Sequence, residues 1–209
     1  MRAAFLAAEL LVVVALGAPA ATAADPRLAA RLDSATAAAV GEVVEEARAK
    51  GLPSDPLVAR ALEGASRQAQ GPRIVAAVKN LAGQLESARE ALGRQSTPAE
   101  LMAGAVALAV GVPPDTLARL RASRPEGAVV VPLVVLTDLV TRNVPLETAS
   151  AAVLAATRAQ VRDRDLMRLR ERIDHDIRSG ASPGGATVLR TRSLIGRFEG
   201  PAAAPRSGP

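Results

Sequence analysis

The chain has no cysteine, tryptophan or tyrosine, only two phenylalanines, Phe5 and Phe198, and a single histidine, His175. Without cysteine there is no disulfide, no thiolate chemistry and no lipid-bearing N-terminal cysteine, so stability has to come from packing. With almost no aromatics the core must be built from Ala, Leu, Val and Ile. These side chains let helices approach closely but bury little area each, at roughly 25 cal/mol per Å², which predicts modest stability. Lysine is nearly missing as well: Lys50 and Lys79 are the only two, and arginine supplies the remaining positive charge. The net charge of +5 and the pI near 11.0 follow from that small arginine excess. An excess of this size does not by itself point to a polyanionic partner.

Long apolar runs are absent beyond the first residues. Met1 and Arg2 precede an apolar stretch over residues 3–16, broken only by Glu9. Gly17, Ala18 and Pro19 follow, then the small-residue run from Ala20 to Ala24 before Asp25. A positive end, an apolar centre and a small-residue boundary predict a signal segment over residues 1–24, cut after Ala23 or Ala24. The stretch is shorter than the roughly 20 apolar residues a spanning helix needs. Downstream, the longest apolar run covers residues 128–136 and contains Pro132, so no integral membrane segment is expected after cleavage. The expected location is periplasmic or secreted.

What remains reads as all-α. Asp25 and Pro26 open a helix expected to continue to about Lys50, where Gly51 ends it. Further helices are expected over 56–68, 72–92, 98–110, 114–121, 127–141, 145–160 and 163–179. Thr97, Pro98 and Glu100 stand at the cap, first and third positions of one of them, the reciprocal capping arrangement. The valine-rich stretch 128–139 has the composition of a strand. No partner strand exists for it, and an isolated strand leaves its backbone groups unpaired.

One motif recurs. Gly51-Leu52-Pro53-Ser54-Asp55-Pro56-Leu57 matches Gly111-Val112-Pro113-Pro114-Asp115-Thr116-Leu117 at four positions, and Asn143-Val144-Pro145-Leu146-Glu147 is a weaker third copy. Gly51, Gly111 or Asn143 supplies a left-handed residue that closes a helix, and the next residue folds back as an apolar contact. Pro53, Pro113 or Pro145 then starts the next helix, with Asp55, Asp115 or Glu147 facing its amino end. Stacked helical hairpins follow, either an irregular bundle or an α-solenoid-like array with degenerate internal repeats over residues 25–181.

From residue 182 to 209 glycine and proline dominate, and a flexible tail is expected. Within it Arg190, Arg192 and Arg197 alternate with Leu194, Ile195 and Phe198, an island able to touch an anionic surface or a partner.

No pattern carries catalytic or cofactor chemistry. Asp174 and His175 are helix neighbours that diverge by about 100° and cannot share one ion. Glu171 lies one turn from His175, but Leu166, Leu169, Ile173 and Ile177 form the buried stripe and leave the histidine on the solvated side. A serine hydrolase would need Ser66, Ser87, Ser96 or Ser150 to meet that one base, and none has a nucleophile-elbow context. Glu45 with Glu46, and Glu63 with Glu86, read as solvated carboxylates. Gly180, Gly184 and Gly185 follow no strand, so they form no phosphate loop. The arginines from Arg158 to Arg178 are interleaved with Asp163, Asp165, Glu171, Asp174 and Asp176, which favours pairs along the helix over a polyanion stripe. Without aromatic platforms, nucleic acid is not an expected partner. The expectation is a non-enzymatic exported helical protein that scaffolds or binds another envelope protein or peptide, with no cofactor and no metal. Contact of the basic tail with anionic surfaces is the alternative, and an enzyme of unfamiliar type the third.

Overall fold

The computed structural model describes residues 25–197, so the expected signal segment 1–24 and Phe198 lie outside the described residues. Ten helices and no strand are present among them: α1 (Pro26–Ala29), α2 (Ser34–Ala49), α3 (Asp55–Ser66), α4 (Gly71–Leu92), α5 (Pro98–Ala109), α6 (Pro114–Ser123), α7 (Val130–Thr141), α8 (Leu146–Arg158), α9 (Asp163–Arg178) and α10 (Pro183–Ile195). The fold is all-α.

Two expectations are corrected. The single helix expected over 26–50 is two, because Asp33 accepts hydrogen bonds from the Thr36 amide at 3.0 Å and the Thr36 hydroxyl at 2.7 Å. A carboxylate that satisfies an amide three residues on offers the backbone a new helix start in place of continuation. The second concerns the flexible tail. Residues 183–195 form α10, which packs on α8 and α9 and buries Ala186, Thr187, Thr191 and Leu194. Pro183 and the two glycines after it look like breakers, but they occupy the first turn. There proline costs nothing because its missing N–H would have no acceptor.

The valine-rich stretch is helix α7. Pro132 falls in its first turn and is buried, again where an absent amide hydrogen breaks no bond.

Six of the connections share one geometry. Gly51, Gln68, Gly111, Asn143, Gln160 and Gly180 have φ between +53° and +95°. At each, the amide of the left-handed residue donates to the carbonyl three residues back, and the next amide donates to the carbonyl five residues back. All twelve bonds measure 2.9–3.1 Å. This pairing satisfies carbonyls that a helix end leaves without partners. The residue after the turn is buried in four cases, Leu52, Val112, Val144 and Val161, and so fastens the corner to the core.

Gly111 isolates the conformational term, since a Cβ added there would meet nothing within 4 Å. Gly111→Val is expected to cost about 1–2 kcal/mol through left-handed strain alone, while Gly111→Asn loses less. Thermal denaturation checks this, and equal melting of the two variants would contradict it.

The helices stack in two rows. The even-numbered helices form one row, with α2 on α4, α4 on α6, α6 on α8 and α8 on α10; α5, α7 and α9 form the second in the same manner. Leu57, Val78, Leu85, Leu101, Leu117, Leu133, Leu136, Val153, Leu166 and Ile173 belong to one continuous core between the rows. The second row is interrupted at its start. Both α3 and α5 pack extensively on α4, yet they make no extended contact with each other. Close approaches set this spread. A Cβ on Gly64 of α3 would lie 2.9 Å from Ile74 near the start of α4, and one on Gly104 of α5 would lie 3.0 Å from Ala88 near its end.

Candidate functional site

The interruption between α3 and α5 leaves a groove of about 560 Å³. One wall is the α3 face Pro56, Ala59, Arg60 and Glu63; the other is the α5 face Met102, Val106, Ala109 and Val110. Ala77, Asn80, Leu81 and Gln84 of α4 make the floor. Each set follows the three- and four-residue spacing of one helix face, so the groove runs along the helices for about two turns, roughly 10 Å. Short connections make α3 and α5 each antiparallel to α4, and therefore parallel to one another. Val106 is 45% exposed, one of few large apolar side chains left in solvent among the described residues. Arg60 and Glu63 pair at 2.9 Å on the rim. Alanine at 59, 77 and 109 is what keeps the space open.

A second concavity, about 220 Å³, lies between α9 and α10 and is lined by Arg168, Arg172, Arg190 and Arg197. Its apolar floor is Leu169 and Leu194, both buried. Arg190 donates through Nε and Nη2 to both carboxylate oxygens of Asp176, at 2.6 and 2.8 Å. These hydrogen bonds hold the Asp176 carboxyl below its ordinary range and raise the guanidinium.

The most buried charge among the described residues is Glu100, 4% exposed. It closes the capping box with Thr97 at the start of α5, accepts from the Val129 amide at 3.0 Å and pairs with Arg121 of α6. Arg121 in turn donates to the carbonyls of Arg124 and Gly127. Burial pushes the Glu100 carboxyl up. The Thr97 and Val129 amides and the Arg121 guanidinium more than reverse this and hold it below its usual value. The cluster joins α5, α6 and the approach to α7, and its oxygens are consumed by that work.

The residues singled out from sequence divide clearly. Gly51, Gly111 and Asn143 are left-handed at φ +71°, +92° and +62°. Pro113 and Pro145 are the residues immediately before α6 and α8; Pro53 stands one residue earlier relative to α3, with Ser54 between. Asp55, Asp115 and Glu147 sit in first turns, and Asp55 receives Arg27 at 3.3 Å. The island in the expected tail does not act as one surface: Arg190 is engaged by Asp176, Leu194 is buried, Ile195 is half-buried, and only Arg192 and Arg197 are exposed.

The interleaved arginines pair along α9 as expected at Arg168 with Asp165, 3.4 Å, and Arg178 with Asp174, 2.5 Å, and other pairs reach across helices. Arg170 with Asp138 at 2.8 Å, Arg142 with Asp174, and Arg190 with Asp176 all link different helices. Asp174 and Asp176, on different sides of α9, meet cations from the end of α7 and from α10, an arrangement that pattern along one helix could not reveal.

The candidate catalytic groups stay apart. Glu63 is taken by Arg60 and Arg67, Glu86 by Lys50, and Glu45 by Arg48. His175 is exposed on α9, and no group of three metal-ligating side chains occurs among the described residues. None of the described helices is long and apolar enough to cross a membrane.

No protein-family model matches the chain, and neither a curated protein nor a solved structure aligns with it significantly.

Proposed function

We propose that the chain is an exported, non-enzymatic binding module of the cell envelope that holds an amphipathic helix of a partner protein in the groove between α3 and α5. The observation that carries the reading is the groove itself, with Val106 left in solvent on its α5 wall. A site two turns long with two parallel helical walls and a helical floor suits a helix, because ridges of side chains interdigitate with facing grooves. Its small side chains admit leucine- or valine-sized knobs, and the Arg60–Glu63 rim gives polar contact along the edge. Export rests on the amino-terminal pattern of Arg2, the apolar stretch and the alanine-rich boundary.

Absence of cysteine provides the test. A solvatochromic dye attached to an Ala59→Cys variant reports on the groove alone. Titration with a synthetic amphipathic helix of leucine, alanine and lysine is expected to give a saturable blue shift, weakened at least tenfold by adding Val106→Glu. A dilution-dependent shift without peptide would identify a second copy as the occupant, and a shift indifferent to Val106→Glu would remove the groove as the site; either result overturns the proposal.

A further inference from the structure

We propose that the cleft between α9 and α10 is a binding site for a phosphate-type dianion. Antiparallel packing of the two helices sets Arg168 and Arg172, one turn apart on α9, against Arg190 of α10 and Arg197 just past its end. Two of these four are already committed: Arg190 binds Asp176, and Arg168 reaches Asp165 at 3.4 Å. Among the described residues Asp165 is also approached by Arg164 at 3.7 Å, so the one carboxylate lining the cleft is answered by two cations. Arg172 and Arg197 pair with no carboxylate among the described residues. Both face the same cleft, where like charges repel unless an anion stands between them.

The remaining chemistry favours phosphate. Guanidinium groups offer planar donor forks that match tetrahedral oxyanions. Arg190 spends Nε and Nη2 on Asp176, which fixes its plane and leaves the Nη1 donors for a ligand. Ser193 adds a hydroxyl at the edge, and the buried floor of Leu169 and Leu194 strengthens any ion contact by lowering the local dielectric. At about 30 Å³ per water, the 220 Å³ cleft has room for a phosphate group and its nearest waters. A free phosphate and a phospholipid headgroup present the same chemistry here.

The test uses the chain with residues 25–209 intact. At constant ionic strength, inorganic phosphate at ten times its dissociation constant is expected to raise the melting temperature by roughly 3–6 °C relative to chloride. Arg172→Gln and Arg197→Gln, which break no ion pair among the described residues, should each lose most of that rise and weaken phosphate binding at least tenfold by calorimetry. Phosphatidic acid vesicles distinguish the sources. Sedimentation with them that inorganic phosphate competes away assigns a headgroup, and phosphate binding without vesicle binding assigns the free ion. A rise that is equal in parent and variants, or no rise with phosphate and no vesicle binding, would overturn the site.

Discussion

Glu100→Ala is expected to lower stability by roughly 3–5 kcal/mol, the cost of leaving the other half of a buried ion pair without its partner. Three losses coincide at this position. Arg121 keeps its place between the Arg124 and Gly127 carbonyls and remains as an uncompensated cation. The Val129 amide loses its acceptor, and the capping box of α5 loses one half. Glu100→Gln retains an oxygen for one of these donors and should fall between the parent and Glu100→Ala. Urea denaturation at neutral pH measures the series. The same carboxyl gives a pH dependence whose sign is fixed: its folded pKa lies below the ordinary 4.5, so its contribution is complete above that value and is lost as pH falls through the folded pKa. Acid denaturation should therefore flatten in Glu100→Gln. Parallel acid limbs for parent and variant would show that the charge contributes nothing to folding.

Removal of α10 is expected to be as damaging. Ending the chain after Ser182 strips Ala186, Thr187, Thr191 and Leu194 from α8 and α9 and takes Arg190 from Asp176. Leu194→Ala alone should cost about 2–5 kcal/mol, and the truncation at least that. A chain ended after Arg197 keeps all of these contacts and serves as the control. Circular dichroism melts of the two truncations decide the matter; equal melting temperatures would mean that α10 adds nothing to the fold.

The reversal at α10 shows where sequence was legible and where it was not. Proline before an acidic first turn marked α3, α6 and α8, and Thr97 with Glu100 marked α5, because these signals act within four residues. Glycine at 51 and 111 and asparagine at 143 announced corners for the same local reason. Gln68 and Gln160 make the same corners and escaped notice, since glutamine has no intrinsic preference for positive φ and is placed there by the bonds around it. The only available signal was indirect, an alanine or valine standing just before the residue that caps the next helix. In α10 the composition pointed to disorder, and only its apolar contacts with α8 and α9, which depend on tertiary placement, hold it. The groove was the least legible feature. The stripes on α3, α4 and α5 look alike in sequence, and nothing local tells which stripe is covered and which, like that of Val106, is left open.

The stacking order has a kinetic consequence. Every extended helix contact in the array joins helices at most two places apart along the chain. No extended contact waits for distant segments to meet, so each loop that must close is short and its entropic cost small. Folding speed tracks this locality, and the chain can grow its core by accretion, one helix laid on the previous two. The same order holds under mechanical load, where helices would peel singly from a free end while the middle stays folded.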